Sequence, residues 1–262
     1  MLRPRIIPVL LLHDGGLYKT VRFKDPKYIG DPINAVRIFN EKEVDELMIV
    51  DIDASVRGKE PDYQLISRLS AECRMPLSYG GGVKQVEQFE RIVSLGVEKV
   101  AISSGAVENP DLIREAVERV GSQSVVVVMD VKRSGLLRRP EIVTYNGTRR
   151  TGRDVVEFAQ LVTQLGAGEL LINSVDRDGS MEGYDMDLVE RVRAAVSVPI
   201  TVLGGAGSHD HIAELIRRFE IIGAAAGSCF VFKGKYRAVL INYPNRLEKQ
   251  KILDRAESAL RA

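Results

Sequence analysis

Carboxylates recur where apolar runs end. Val125-Val126-Val127-Val128-Met129 stops at Asp130, and Met48-Ile49-Val50 stops at Asp51 with Asp53 close behind. Leu170-Leu171-Ile172 leads on to Asp176 and Asp178. Acids gathered at one rim could move protons on a small substrate, and two in unlike environments could divide the roles of acid and base. Taken singly, each reads equally as a loop cap or a solvated charge. The run Ile6-Ile7-Pro8-Val9-Leu10-Leu11 resembles the run ending at Asp130, but carries Leu11 at the matching place. It reaches an acid only at Asp14, beyond His13.

Two glycine clusters offer a second chemistry. Gly80-Gly81-Gly82 and Gly204-Gly205-Ala206-Gly207 each precede a run ending in small polar residues, Ser103-Ser104 and Gly227-Ser228. Glycine lets backbone N–H groups come close to an anion. A single such loop is better read as a tight turn; two matched pairs favour a ligand with a phosphate at each end. A third pattern is charge at the start of apolar runs: Arg5, Glu46, Lys99 and Glu169. Such a charge is usually a solvated border. If all four point inward, they form a ring of alternating sign that satisfies itself and could act as a gate.

The elements that would position these residues alternate along the chain. Candidate strands are 5–11, 45–51, 76–80, 97–103, 123–130, 169–175, 199–203 and 222–226, mostly the Val/Ile/Leu runs of strands buried on both faces. Asp31-Pro32 supplies an N-cap and first-turn proline for a helix over 33–43. Val86, Phe89 and Val93 form a helical stripe over 85–95 that Gly96 can end, and Ser208 can cap a helix starting near 209. Several segments repeat at an offset of about 123 residues, Pro76-Leu77-Ser78 against Pro199-Ile200-Thr201 among them. That period is too long for a solenoid and reads as two fused halves of one domain. Eight β–α units and a half-length repeat favour a (β/α)₈ barrel, in the α/β class, over a doubly wound sheet. The barrel is expected over 1–244, in halves of about 1–121 and 122–244. A polar helix over 245–262, with Leu247, Ile252, Leu253 and Leu260, would follow as an extension for packing or oligomer contact.

Composition narrows the classes. The 262 residues are 45% apolar and 28% charged, with a net charge of +1, which gives no global case for nucleic-acid binding. Lys132-Arg133 and Arg149-Arg150 with Arg153 remain local basic clusters, and solvated loop charge is the better reading of Arg149 and Arg150. Cys73 and Cys229 match no metal or redox spacing, and His209 and His211 point apart on a helix, so neither a metal nor another cofactor is expected. No signal peptide and no run of about 20 apolar residues is present, so a cytoplasmic, reduced protein off the membrane is expected.

Over residues 1 to about 243 the chain resembles the cyclase subunit of imidazole glycerol phosphate synthase. The resemblance rests on Arg5-Ile6-Ile7-Pro8, Gly30-Asp31-Pro32, Asp45-Glu46-Leu47, Gly80-Gly81-Gly82, Gly121-Ser122-Gln123, Asp176-Arg177-Asp178-Gly179 and Gly204-Gly205-Ala206-Gly207. It implies a half-barrel duplication with a glutaminase docked at the base. Ammonia would pass a gate of Arg5, Glu46, Lys99 and Glu169 and attack a bis-phosphorylated nucleotide at the top, giving imidazole glycerol phosphate and an aminoimidazole carboxamide ribotide. It also implies that Glu98 faces the glutaminase and that Lys19, in the first βα loop, binds phosphate. Phosphate would be held at Gly82, Ser103 and Ser104, and at Asp178, Gly179, Gly205, Gly227 and Ser228. Ser103 and Ser104 replace the family's Asn and Thr, and Leu203 replaces a serine.

Asp130 matches one catalytic aspartate of that family; the other falls at Leu11. Leucine transfers no proton, and loss of a general acid–base costs on the order of 10²–10⁴-fold in rate. Leu10-Leu11-Leu12-His13-Asp14-Gly15-Gly16-Leu17, Lys19-Thr20-Val21, Asp51-Ile52-Asp53-Ala54-Ser55 and Phe232-Lys233-Gly234 through Tyr243-Pro244 look closer to a paralogous branch linked to surface polysaccharides. That resemblance implies an ammonia-conducting barrel, partnered by a glutaminase and by an ATP-dependent amidotransferase that makes an acetamidino sugar. A histidine-pathway cyclase relying on Asp130 is the alternative, and a non-catalytic scaffold barrel is a third reading.

Overall fold

Eight strands close into a parallel barrel because their apolar runs must be covered on both faces. In chain order they are β1 (Arg5–His13), β2 (Leu47–Asp51), β3 (Leu77–Gly80), β4 (Lys99–Ile102), β5 (Val125–Ser134), β6 (Glu169–Ser174), β7 (Ile200–Leu203) and β8 (Gly223–Ala226). Each pairs with its neighbour in sequence; β8 closes on β1 through Arg5↔Gly223, and β5 joins the two halves by pairing with β6 through Glu169↔Val126. The computed structural model describes residues 3–135 and 139–258. The (β/α)₈ expectation holds.

Period-2 alternation sorts the strand residues into two cores. On β1, Ile6, Leu10 and Leu12 face the surrounding helices, while Ile7 and Val9 face the barrel axis. There they join Met48, Ala101, Val126, Leu171 and Ala225, with Leu11, Val50, Val128 and Leu203 packed against them. Arg5 and Leu11 therefore lie at opposite ends of one inward row, six residues and about 20 Å apart.

The helices follow from their caps and stripes. Asp31 accepts the Asn34 N–H at 2.8 Å at the head of Pro32–Glu41, and Ser208 caps His209–Phe219 through His211 N–H. Gln85 and Gln88 form a capping box on Val86–Ser94, which buries Phe89 and Ile92. The final helix, Arg246–Ser258, packs on His209–Phe219, buries Ile252 and Ala256, and ties to the barrel base through Lys249 and Asp45, 3.0 Å apart. Leu260 lies outside the described residues.

Among the described residues, three antiparallel hairpins lie beyond the expected elements, one of them the short pair Phe232–Lys233 with Ala238–Val239. Gly16–Val21 with Lys24–Gly30 continues β1, and Arg139–Thr144 with Arg149–Asp154 continues β5. The two extensions are placed alike. Leu11 pairs with Tyr18 and Asp130 with Val143, so in each half the first strand starts pairing with its hairpin at the mismatched position while still paired to the next barrel strand.

Candidate functional site

Strands β1 to β7 end around a pocket at the C-terminal mouth. Its floor is the apolar inner stack, including Val9, Leu11, Val128, Leu171 and Leu203. Asp130 is set in its wall, where Asn173 Nδ2 donates to Oδ1 at 2.9 Å and Ser103 Oγ to Oδ2 at 3.2 Å. Burial pushes this carboxyl up to about 6; the two hydrogen bonds offset part of that, and the negative Asp178 adds to it. Asp51 also lines the pocket. Burial raises its pKa, against the Asp53 and Ala54 N–H groups that its Oδ1 accepts. Leu11 lies in the apolar floor beside them, so no proton-transfer group stands at the place where the repeat would supply one.

Gly82, Ser103 and Ser104 line this pocket. Ser104 Oγ accepts the Tyr145 N–H at 3.4 Å, which brings the second hairpin's turn over the mouth, where Asn146 Nδ2 reaches the Ile52 carbonyl at 2.9 Å. The other set is separate. Asp178, Gly179, Gly205, Gly227 and Ser228 do not line the pocket; Asp178 and Ser228 are buried, and Lys19 donates to both Asp178 oxygens at 2.8 and 3.1 Å.

Arg5, Glu46, Lys99 and Glu169 do meet, at the opposite end of the barrel. Arg5 pairs with Glu46 and, at 2.7 Å, with Glu169; Lys99 reaches both acids at 3.0 Å. Both acids are buried. Burial would raise the Glu169 pKa, but Arg5 and Lys99 outweigh it and hold it below the usual range. The ring thus keeps its charges by internal pairing, as buried ions must. Ser78 Oγ donates to Glu46 at 2.9 Å, and Thr201 Oγ1 donates to Glu169. These two hydroxyls extend the ring. Their signal was present in the repeat, since Ser78 and Thr201 hold equivalent places, as do Glu46 and Glu169. Glu98 is exposed beside Lys99 on the same face.

Several residues flagged in the sequence do other work. Asp176 accepts the Arg133 N–H at 2.8 Å, and Arg133 forks onto Asp185. Arg150 binds Glu141 in the second hairpin, and Arg149 binds Glu108. Among the described residues, His13, Asp14 and Asp53 bring a nitrogen and two carboxylates within 4.8 Å of one another. Arg57 already sits on both acids, at 2.7 Å from Asp14 and 3.4 Å from Asp53, which supplies the positive charge a cation would bring. No helix of the described residues is long and apolar enough to cross a membrane.

A family described as histidine biosynthesis protein matches residues 5–237. A protein of Leptospira borgpetersenii, provisionally named imidazole glycerol phosphate synthase subunit HisF, is 57% identical over 250 residues, covering 95% of this chain and 98% of that one. The chain belongs to the HisF family. A Vibrio vulnificus relative provisionally named subunit hisF3 is also 57% identical, over 97% of this chain and 98% of its own. Imidazole glycerol phosphate synthase subunit HisF of Caulobacter vibrioides is 43% identical over 88% of this HisF-family barrel and 89% of its own length.

Proposed function

We propose that this HisF-family barrel conducts ammonia: it pairs with a glutaminase at its N-terminal face and passes ammonia to its mouth. There a separate ATP-dependent amidotransferase would use it to convert the acetamido group of an N-acetyl sugar into an acetamidino group. The observation that carries the reading is an intact ring of Arg5, Glu46, Lys99 and Glu169 below an apolar stack that ends at Leu11. Neutral ammonia crosses an apolar lining at little cost, whereas ammonium would shed its hydration there. Exposed Glu98 beside the ring is the proposed contact for the glutaminase. With Leu11 at the place the repeat matches to Asp130, the paired acid is missing, and the pocket's other carboxylate, Asp51, has its Oδ1 taken by the Asp53 and Ala54 N–H groups, so ammonia would leave unreacted.

The competing reading is a cyclase that makes imidazole glycerol phosphate. Its support is the name carried by the relatives and a carboxyl with a pKa of about 6, well placed for proton transfer near neutral pH. Supplying the purified chain with ammonium salt and the bis-phosphorylated nucleotide separates the two. The conduit reading expects no imidazole glycerol phosphate, with activity gained on Leu11→Asp. Turnover at a rate typical of the histidine pathway by the unaltered chain would sink it.

A further inference from the structure

The hairpin of Phe232–Lys233 with Ala238–Val239 has no part in the pocket or in the charged ring. Tyr236, at its tip, is nevertheless 90% exposed, and Lys233, Lys235, Val239 and Leu240 around it are exposed as well. The tip is fixed to the rim of the mouth. Lys27, on the outer strand of the first hairpin, donates to the Arg237 carbonyl at 3.1 Å. Lys27 and Arg237 both lie over the Phe232 ring, at 5.0 and 4.8 Å from its centroid. Arg237 Nη2 reaches the Gly179 carbonyl at 3.4 Å, in the loop that follows β6, and the turn of the first hairpin lines the pocket through Phe23.

We infer that this tip, with Lys24 and Lys27, is the seat of the amidotransferase, which docks there through an acidic surface of its own. This rests on the ammonia-accepting partner of the proposed function. Charge is the first reason. Lys27 and Arg237 direct their hydrogen bonds to carbonyls, and none of Lys24, Lys27, Lys233, Lys235 and Arg237 is ion-paired among the described residues. Asp25, between the first two, leaves the sum positive. Elsewhere on the rim the cations are neutralised: Arg57 by Asp14 and Asp53, Arg133 by Asp185, and Arg149 by Glu108. In a chain of net charge +1, one sector of the mouth thus carries an unbalanced positive field, which draws in an anionic surface and repels a basic one. An exposed tyrosine among apolar side chains and rim charges is also the composition of an interface anchor. Position is the second reason. The tip borders the opening through which ammonia leaves, and the enzyme that accepts it has to cover that opening or lose it to solvent. A tyrosine flanked by lysines also suits an anionic bilayer, but a bilayer seated there would close the mouth with nothing to take the ammonia.

The test is the binding of purified N-acetyl sugar amidotransferase to the full chain, measured by biolayer interferometry in about 50 and about 300 mM salt. Expected are binding to the unaltered chain that weakens about tenfold between those salts, and hydrogen-exchange protection over 233–240 in the complex. Lys233→Glu with Lys235→Glu should weaken binding at the lower salt by about tenfold or more, and Tyr236→Ser by about threefold or more. Arg68→Glu with Arg217→Glu, on helices of the barrel wall, should leave it within about twofold. The inference is overturned if the unaltered chain does not bind the enzyme, or if binding ignores both salt and the lysine reversal. It is equally overturned if that reversal abolishes co-sedimentation with phosphatidylglycerol vesicles but spares the amidotransferase. The salt and exchange readouts on the unaltered chain stand even if a variant does not fold. Ammonia conduction fails separately: the two proteins then bind as expected, but glutamine and the glutaminase do not support an amidation that ammonium salt supports.

Discussion

Asp130→Asn is expected to stabilise the protein at pH 7.5 and to have little effect at pH 4. Burial raises the carboxyl from its ordinary 3.8 to about 6 despite the hydrogen bonds from Asn173 and Ser103, and the Asp178 charge adds to the rise. A shift of about 2 units corresponds to about 3 kcal/mol at neutral pH. Between pH about 4 and about 6 the native state keeps a proton that the unfolded chain has released, so stability falls as pH rises through that window. Above it, the full cost of the buried charge is carried. Asparagine keeps the shape without the charge. Its oxygen can accept from Ser103 or Asn173, and its amide can turn to Asn173 Oδ1, which has no partner within the protein. The two hydrogen bonds to the charged form are already included in that shift, so the gain at pH 7.5 is up to about 3 kcal/mol. Urea unfolding of both proteins at pH 4, 5, 6 and 7.5, with unchanged m-values, measures it. A variant equally or less stable at pH 7.5, or a difference constant with pH, would refute the argument, because hydrogen bonding rather than buried charge would then set the balance.

Two further perturbations probe the base of the barrel. Lys99→Met leaves Glu46 and Glu169 with Arg5 as their only cation among the described residues, and should cost about 3 kcal/mol in urea melts; adding Glu46→Gln should recover part of it, and full additivity of the two losses would contradict the ring. Tyr243→Phe removes a hydroxyl that donates to the Ile6 carbonyl and accepts the Asp45 N–H, beside Arg5 and Glu46. A loss of about 1–3 kcal/mol and faster hydrogen exchange at Asp45 are expected, and unchanged exchange would show that the hydroxyl does not hold this seam.

The eight barrel strands were legible because a strand buried on both faces must be apolar throughout, as Val125 to Met129 is. The hairpins were not. Lys24–Gly30 is largely exposed, so nothing in its residue types repeats at period 2, and its pairing with Gly16–Val21 is a matter of partner rather than pattern. Ser78 and Thr201 fall between these cases, since the repeat aligned them but only closure of the barrel turned them toward Glu46 and Glu169.

By itself, the sequence determined which groups exist: four charges at strand starts, two glycine cradles, Asp130, and a leucine where its partner would be. It also determined the barrel, through eight apolar runs and a half-length repeat. Only the tertiary structure decided which groups meet. Lys19 and Asp178 lie 159 residues apart along the chain and 2.8 Å apart in space. Local residue types fix whether a segment is strand or helix, but a contact of that kind depends on how far the whole barrel turns before it closes.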